Sequence, residues 1–498
     1  MAIGWSRRLP RLRKGSVVAT LRSPIRTAGS WTVQFMAAFA VLLPWSAQAE
    51  DSSSGTTTPT RPSIMAERWN EDWSVLADPR VSSEPLDSLK YIKLDPYDPK
   101  TYLSFGGDIR ERFEANNATN FGVSPNKNQN YLISRSDVFA DLRIADQIQV
   151  FTQFESDFAP WKTMLTPADQ NVLDLEQAFV TITEPLGDGT ARLRLGRQQM
   201  NFDLQRFVSN RDGPNVPQSF DAAWGDYQIG PWKFISFYSR PVQVRDLGAQ
   251  PFENFSSGDF TFSMARVQRD LFGWATLSGY YAYYSLDNAR YLTVSGNERR
   301  DIIDVRFYAK TNNFDGDIEV MSQTGNIGND TISAWAVGAV AGYTLSGLDW
   351  KPRLGVQFDA ASGNSDPHGN VLQTLNPLFP SGLYFTLAGY TTYVNLIHFK
   401  QSLQLQLTSS VKLHLAVAEQ WRETTADAVY TIPNIPLPDT AGQPGRYTGT
   451  YGQVDVQWSI TPQLSLGVQA VYFDVSDVIA RAGGHNSTYL GVQTAYGW

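Results

Sequence analysis

In the stretch "RLRLGRQ", Arg192 and Arg194 alternate with Leu193 and Leu195. Forked guanidinium donors held on one wall bind carboxylates bidentately, so such a pair suits the recognition of an anion. The spacing works if the stretch is a β-strand, where residues two apart share a face and the leucines take the opposite one. In a soluble sheet the arginine face is the wet exterior. In a membrane barrel the leucines face lipid and the arginines line a lumen, because an arginine on the lipid face costs roughly 2–4 kcal/mol at the midplane.

Other chemistry is poorly supplied. Nucleophilic catalysis needs a serine or similar group beside a base. The four histidines, His368, His398, His414 and His485, accompany no Gly-x-Ser-x-Gly and no His-Glu pair. A barrel lipase or protease is therefore disfavoured, and no catalytic residue, cofactor or metal site is expected. Asp366 with Asn364 and Asn370 has the chemistry of a calcium loop without its spacing, and a solvated turn accounts for it.

The elements that would position the arginines follow from the rest of the chain. It has 498 residues, a net charge of −8, no cysteine, 14 Trp, 22 Tyr and 27 Phe. Seven basic residues and no acid precede an apolar run over 33–43, and Ala47-Gln48-Ala49 follows. This reads as a secretory signal over 1–49, since the run is far shorter than the roughly 20 residues of a spanning helix. Without those seven charges the remainder stands at −15, which argues against nucleic acid as a partner. Residues 50–100, opening on "DSSSGTTTPTRPS", read as a flexible periplasmic segment that nucleates no core.

From Thr101 to Trp498 period two dominates. Phe105, Ile109 and Phe113 oppose Asp108, Arg110, Arg112 and Glu114; Ile303, Val305 and Phe307 oppose Asp304 and Arg306; Leu354, Val356 and Phe358 oppose Arg353 and Asp359. The same parity turns Arg135, Asp137, Asp141, Arg143, Gln153 and Glu155 inward, with most of these charges expected to pair across neighbouring strands. Short links alternate with long ones, the long ones near 115–130, 160–171, 201–218, 241–257, 287–299, 324–331, 362–397, 423–445 and 476–485. Eight short and nine long links make 18 strands. This is the pattern of an all-β, transmembrane, antiparallel up-and-down barrel with long extracellular loops and short periplasmic turns. A propeller would repeat every 40–50 residues or so, and no such repeat is present.

Two blocks carry a resemblance: "LRLGRQ" with "NRDGPNV" and "SFDAAW", and "LGVQFDAASGNSDPHGNVLQTLNPLFPSGLYF". Together they resemble the alginate export family of outer-membrane barrels, over roughly Phe105 to Trp498. The resemblance implies an 18-stranded barrel and an arginine-rich constriction passing an anionic uronic-acid polymer, screened by a folded-in loop. It places the relevant positions at Arg197, Arg206, Arg211 and Asp221. Arg197 has the parity of the leucines, so it reaches the lumen only if Gly196 marks a bulge. Pro217, Met200 and Trp498 depart from the family's usual residues.

The function expected is a passive channel in the bacterial outer membrane for an anionic polysaccharide or a related small anionic solute. Its pore residues would be Arg192, Arg194, Arg197, Arg206, Arg211, Asp221, Arg110, Arg112, Arg135, Arg143, Arg306 and Arg353. A solute-specific uptake porin is the alternative, and a non-conducting adhesin is the third class. Loops 201–218 and 362–397 are candidates to fold inward. The partners expected are outer-membrane lipid, the anionic solute and the barrel-assembly machinery, which would read Tyr496 and Trp498 in the last strand.

Overall fold

The computed structural model describes residues 60–123 and 128–498; the signal reading of 1–49 lies outside them. Eighteen long strands make the wall. The first six are β1 (Tyr102–Asn116), β2 (Gln129–Ile144), β3 (Ile148–Phe158), β4 (Asn171–Leu186), β5 (Gly189–Gln199) and β6 (Ser219–Ile229). Then come β7 (Trp232–Pro241), β8 (Phe260–Leu271), β9 (Ala275–Arg290), β10 (Ser295–Lys310), β11 (Phe314–Ile327) and β12 (Asp330–Thr344). The last six are β13 (Arg353–Ala361), β14 (Leu396–Gln406), β15 (Val411–Trp421), β16 (Tyr447–Ser459), β17 (Leu464–Val475) and β18 (Ser487–Gly497). Each pairs antiparallel with the next, and β18 returns to β1 through pairs such as Ile109↔Tyr496 and Phe113↔Val492. Closure leaves no unpaired edge, the condition for a sheet to sit in lipid.

Side-chain exposure follows the alternation. On β5, Leu193 and Leu195 are 44% and 47% exposed, while Arg110, Arg112, Arg135, Asp137, Asp141, Glu155, Asp304, Arg306 and Asp359 are buried inside. A one-residue slip of β5 would turn Arg192 and Arg194 to lipid together, at a cost that falls from roughly 2–4 kcal/mol each at the midplane to about 0–1 near the interface, and would turn Leu193 and Leu195 inward, so the register is specified. At the short-turn end the outer rim carries Trp232, Phe272, Trp274, Phe314, Trp350 and Trp458, an aromatic girdle.

Two expectations about connections are corrected. The supposed long links at 287–299 and 324–331 are tight hairpins, residues 291–294 and 328–329. Their polar residues continue the strands of β9–β12, because a strand rising beyond the bilayer can be polar on both faces. The segment expected to be flexible is also ordered from Thr60 onward. It holds two short 3₁₀ turns (Arg68–Asn70 and Trp73–Ala77) and a one-turn helix (Asp87–Lys90). Trp69 packs edge-on against Phe151 and Phe179 of the inner wall, both at 6.0 Å. Trp69 gives the segment an apolar anchor, and Arg68 beside it adds an ion pair to Asp108 at 2.6 Å.

Most of the apolar core lies within the barrel. Phe220, Phe237, Phe262, Ile302 and Met321 of the wall meet Phe202, Phe207 and Val208 of residues 200–218 and Phe379, Phe385 and Tyr393 of residues 362–395. Both long loops fold inward and pair with each other, Val208 bridging Phe379 in parallel, with the Phe379 amide donating to Phe207 O at 2.8 Å.

Candidate functional site

The 200–218 loop crosses the lumen because it is tied to opposite walls. On one side Asp203 accepts from Arg266 of β8 at 2.5 and 2.8 Å and from Arg306 of β10 at 2.6 Å. Arg206, fully buried, reaches Asp317 and Glu319 of β11 at 2.6 and 2.8 Å, and its Nε donates to Tyr384 Oη at 2.6 Å. On the other side the tip, Asp212 to Asn215, meets Arg110 and Arg112 of β1 and Arg135 of β2. Arg112 donates to Gly213 O at 2.7 Å, Arg110 to Pro214 O at 3.1 Å and Arg135 to Asn215 O at 2.8 Å. Arg211 lies over the Phe379 ring at 5.4 Å and donates to Leu378 O at 3.0 Å.

The second loop is anchored on Asp359 of β13. Tyr393 and Tyr384 donate to its Oδ1 at 2.6 and 2.9 Å, and His398 Nδ1 lies 3.2 Å from Oδ2. His398 Nε2 in turn meets Tyr451 Oη at 2.9 Å, and Tyr451 donates to Phe385 O at 2.9 Å. Each polar atom of this buried cluster therefore has a partner that is a wall strand or the loop, which makes it a fastening. Asp366 accepts from the His368 amide at 3.3 Å in its own turn.

Towards the short-turn end the lumen opens into two cavities that share Trp69, Asn70, Arg192 and Arg194. One, about 260 Å³, adds Arg143 and Thr181; the other, about 280 Å³, adds Lys233 and Arg266. Arg192 is paired with Asp226 at 3.0 Å and Arg143 with Asp141 at 2.9 Å. Arg194 donates to Thr181 Oγ1 at 3.2 Å and rests on the Phe179 ring at 4.5 Å, with no carboxylate among the described residues in salt-bridge range. Cation–π contact holds the guanidinium without neutralising it.

Arg197 departs from the expectation. The ladder runs through Val180↔Leu195 and Ala178↔Arg197 on one side and Leu195↔Ala223 and Arg197↔Asp221 on the other, without a shift at Gly196. Arg197 therefore keeps the side of the leucines. It binds Asp221 at 2.8 Å, and Ser256 of the 242–259 loop donates to the same carboxylate at 2.7 Å. Gly196 is needed for another reason: its φ is +129°, and a Cβ there would stand 2.2 Å from Ala178 O. The bulge lies in β4 instead, where Glu176 is the extra residue between Gln153↔Gln177 and Phe154↔Leu175. Arg353 pairs with Asp315 and Arg306 with Asp317 as well as Asp203. Of the arginines expected to line a pore, then, most are wall or loop fasteners. Asp203, Asp212, Arg266, Asp317 and Glu319 do equal work that parity alone did not single out.

A closed antiparallel barrel of eighteen strands, lipid-compatible outside, charged inside and crossed by loops, is the architecture of an outer-membrane channel. The chain belongs to the alginate export family, whose sequence model matches residues 101–493. It is a protein of the bacterial outer membrane. No curated protein sequence matches it. Among solved structures it is similar to OccAB3 of Acinetobacter baumannii and to a BenF-like porin of Pseudomonas fluorescens Pf-5, each with TM-score 0.54, 10% identity, and 80% of this chain and 99% of the other covered. It is also similar to Pseudomonas aeruginosa OpdK, solved with vanillate, at TM-score 0.52 and 9% identity, covering 79% of this chain and 99% of that one.

Proposed function

We propose that the protein is a passive channel for carboxylate-bearing, hydroxyl-rich solutes of the uronate kind, recognised by arginines at the short-turn end of the lumen. The observation that carries this reading is Arg194: a guanidinium with no carboxylate in salt-bridge range among the described residues, set where two cavities meet, in a lining that also holds Lys233, Glu67, and Arg192 and Arg266 paired with Asp226 and Asp203. A fixed positive charge in a narrow, low-dielectric passage concentrates anions locally whatever the net charge of the molecule. Several weak polar contacts beside it, Asn70 and Thr181 among them, suit a hydroxylated solute that must also leave. No catalytic role is included in the proposal.

Within this reading, a small solute is favoured over a long polymer. Two inward loops pack a hydrophobic core across the lumen, and the cavities of about 260 and 280 Å³ lie just below the ~300–1,000 Å³ of sites for drug-sized ligands. The family to which the chain belongs supports an anionic saccharide, and the vanillate in OpdK is also a carboxylate. Liposome swelling decides the matter: vesicles carrying the protein should admit glucuronate faster than glucose, and uronate oligomers slowly or not at all. Equal rates for glucuronate and glucose would overturn the anionic reading, and rapid oligomer entry would restore the polymer.

A further inference from the structure

Lys90 ends the one-turn helix of the segment before the barrel. It is only 4% exposed, and its Nζ donates to no acceptor among the described residues. The carboxylates that act on it, Glu71, Asp108 and Asp87, are already taken. Arg68 holds Glu71 at 2.8 Å and Asp108 at 2.6 Å, and Arg61 holds Asp87 at 2.5 Å. The ammonium rests instead on the Trp73 ring at 4.8 Å. A buried charge without a hydrogen-bond partner is costly, so the position calls for an acceptor.

Lys90 and Trp73 line a cavity of about 610 Å³ between this segment and the rim of the barrel at its seam. Ile64 and Pro85 of the segment and Tyr496 and Trp498 at the end of β18 give it apolar walls. The two sides are closely fitted, since a Cβ on Gly497 would stand 3.1 Å from Ile64 Cγ2. Tyr496 belongs to the outward row of β18 and lies beside the Trp498 ring at 6.1 Å. Trp458 of the aromatic girdle is level with Leu466 and Thr494, which puts Tyr496 two residues nearer the turns. One wall of the cavity therefore stands at the boundary between the periplasmic leaflet and water. Its charges balance, Arg61 and Lys90 against Glu84 and Asp87. Arg61 grips Asp87 with two bonds, of 2.5 and 2.9 Å, whereas Glu84 has only contacts of 3.4 Å, from Arg61 and Gln463.

The lining thus offers one cation without an acceptor and one carboxylate loosely held. We propose that the cavity binds the headgroup of a zwitterionic glycerophospholipid bearing a primary ammonium, its phosphate accepting from Lys90 and its ammonium donating to Glu84, with the acyl chains passing over Tyr496 onto the apolar outer wall. The flexible Lys90 stem lets its ammonium turn from the Trp73 ring to a phosphate oxygen. Charge-assisted bonds at both ends select the headgroup: an anionic one leaves Glu84 facing no cation of the lipid, and a quaternary ammonium has the charge but no N–H to donate. A lipid so held touches the segment and the last strand together and fastens one to the other. The site lies outside the lumen and is independent of what the channel carries.

The test is native mass spectrometry of the full barrel, delipidated in mild detergent and titrated with phosphatidylethanolamine, phosphatidylcholine or phosphatidylglycerol of one acyl composition. The first equivalent of phosphatidylethanolamine should bind about tenfold more tightly than either of the others, a comparison that needs no variant to fold. Lys90→Met should raise its Kd about tenfold, and Glu84→Gln should cancel the preference over phosphatidylglycerol, with the heat-modifiable amount of barrel unchanged in both. Equal affinity for the three headgroups in the unaltered protein, as expected of lipid held on the wall by its chains alone, overturns the site. So does a preference for phosphatidylethanolamine that survives in both Lys90→Met and Glu84→Gln, or the absence of saturable binding by any of the three.

Discussion

Arg194→Gln should lower anion-over-cation permeability, and Arg197→Gln should leave it unchanged. The two residues are three apart in one strand, so the contrast isolates side of the sheet from sequence neighbourhood. Arg194 faces both short-turn cavities and has no carboxylate in salt-bridge range among the described residues, whereas Arg197 stands on the leucine side and is held by Asp221 at 2.8 Å. Two unit charges 4 Å apart interact by about 1 kcal/mol in water and about 4 kcal/mol at an effective dielectric of 20. Taking the aqueous end for a wet lumen, loss of the Arg194 charge costs a bound anion about 1 kcal/mol, roughly a fivefold loss of occupancy. Reversal potentials across a potassium chloride gradient report the change. It should be clear at 0.1 M salt, where the screening length is about 10 Å, and nearly absent at 1 M, where it is about 3 Å. Stability should barely move, because the substitution strands no buried carboxylate. Unchanged selectivity in Arg194→Gln at low salt, or an equal loss in Arg197→Gln, would refute the reasoning.

Arg206→Met leaves Glu319 without its cation and Asp317 with Arg306 only. The cost is about 3–5 kcal/mol, and it should appear as noisier, larger single-channel currents and as faster proteolysis of the 200–218 loop. Lys90, buried in the segment before the barrel and 4.8 Å from the Trp73 ring, is pushed down to about 8, chiefly by burial and then by the Arg68 guanidinium. Its unfolded value is about 10.4, so docking is penalised below pH 8 and strengthens as pH rises from about 8 to 10.4, by at most about tenfold per unit. Protease protection of residues 60–100 should follow that slope, and Lys90→Met should flatten it. Deleting Trp498, whose amide donates to Gly107 O at 3.0 Å on β1, should reduce the folded, heat-modifiable amount in the outer membrane severalfold; an unchanged amount would dismiss the proposal that the assembly machinery reads this residue.

The strand number was legible because one rule governs every wall residue: lipid outside forbids charge, so alternation in "RLRLGRQ" or "DIIDVRFYAK" reports a face directly. It failed where lipid no longer imposes the rule. The hairpins at 291–294 and 328–329 stand in water, and there polar residues read as loop. The lumen core escaped notice because Phe202, Phe207, Phe379 and Tyr393 sit in loops without period, and their partners Phe237 and Phe262 break the polar-inside expectation only where those loops land. At Gly196 the glycine was visible but its purpose was not, since a bulge and a close approach of backbones ask for the same residue. The arginines were found by type. Their roles depend on Asp203, Asp212 and Asp317, which lie from 11 to 111 positions away in sequence.

Arg68 binds Asp108 of β1 at 2.6 Å and the carbonyl of Trp498, beside β18, at 2.7 Å, with Glu71 steadying its Nε at 2.8 Å. Those two acceptors come together only at the seam where the last strand meets the first. The guanidinium is thus a coincidence detector for closure. A sheet still open at that seam offers it the β1 acceptors, Asp108 and the Gly107 carbonyl, or the Trp498 carbonyl, and never both sides together. Closure and docking are thereby coupled: the contacts that fasten the cover of the short-turn entrance also fasten the seam, so each stabilises the other. A chain stalled before closure would show its preceding segment to proteases while most of its wall was already built.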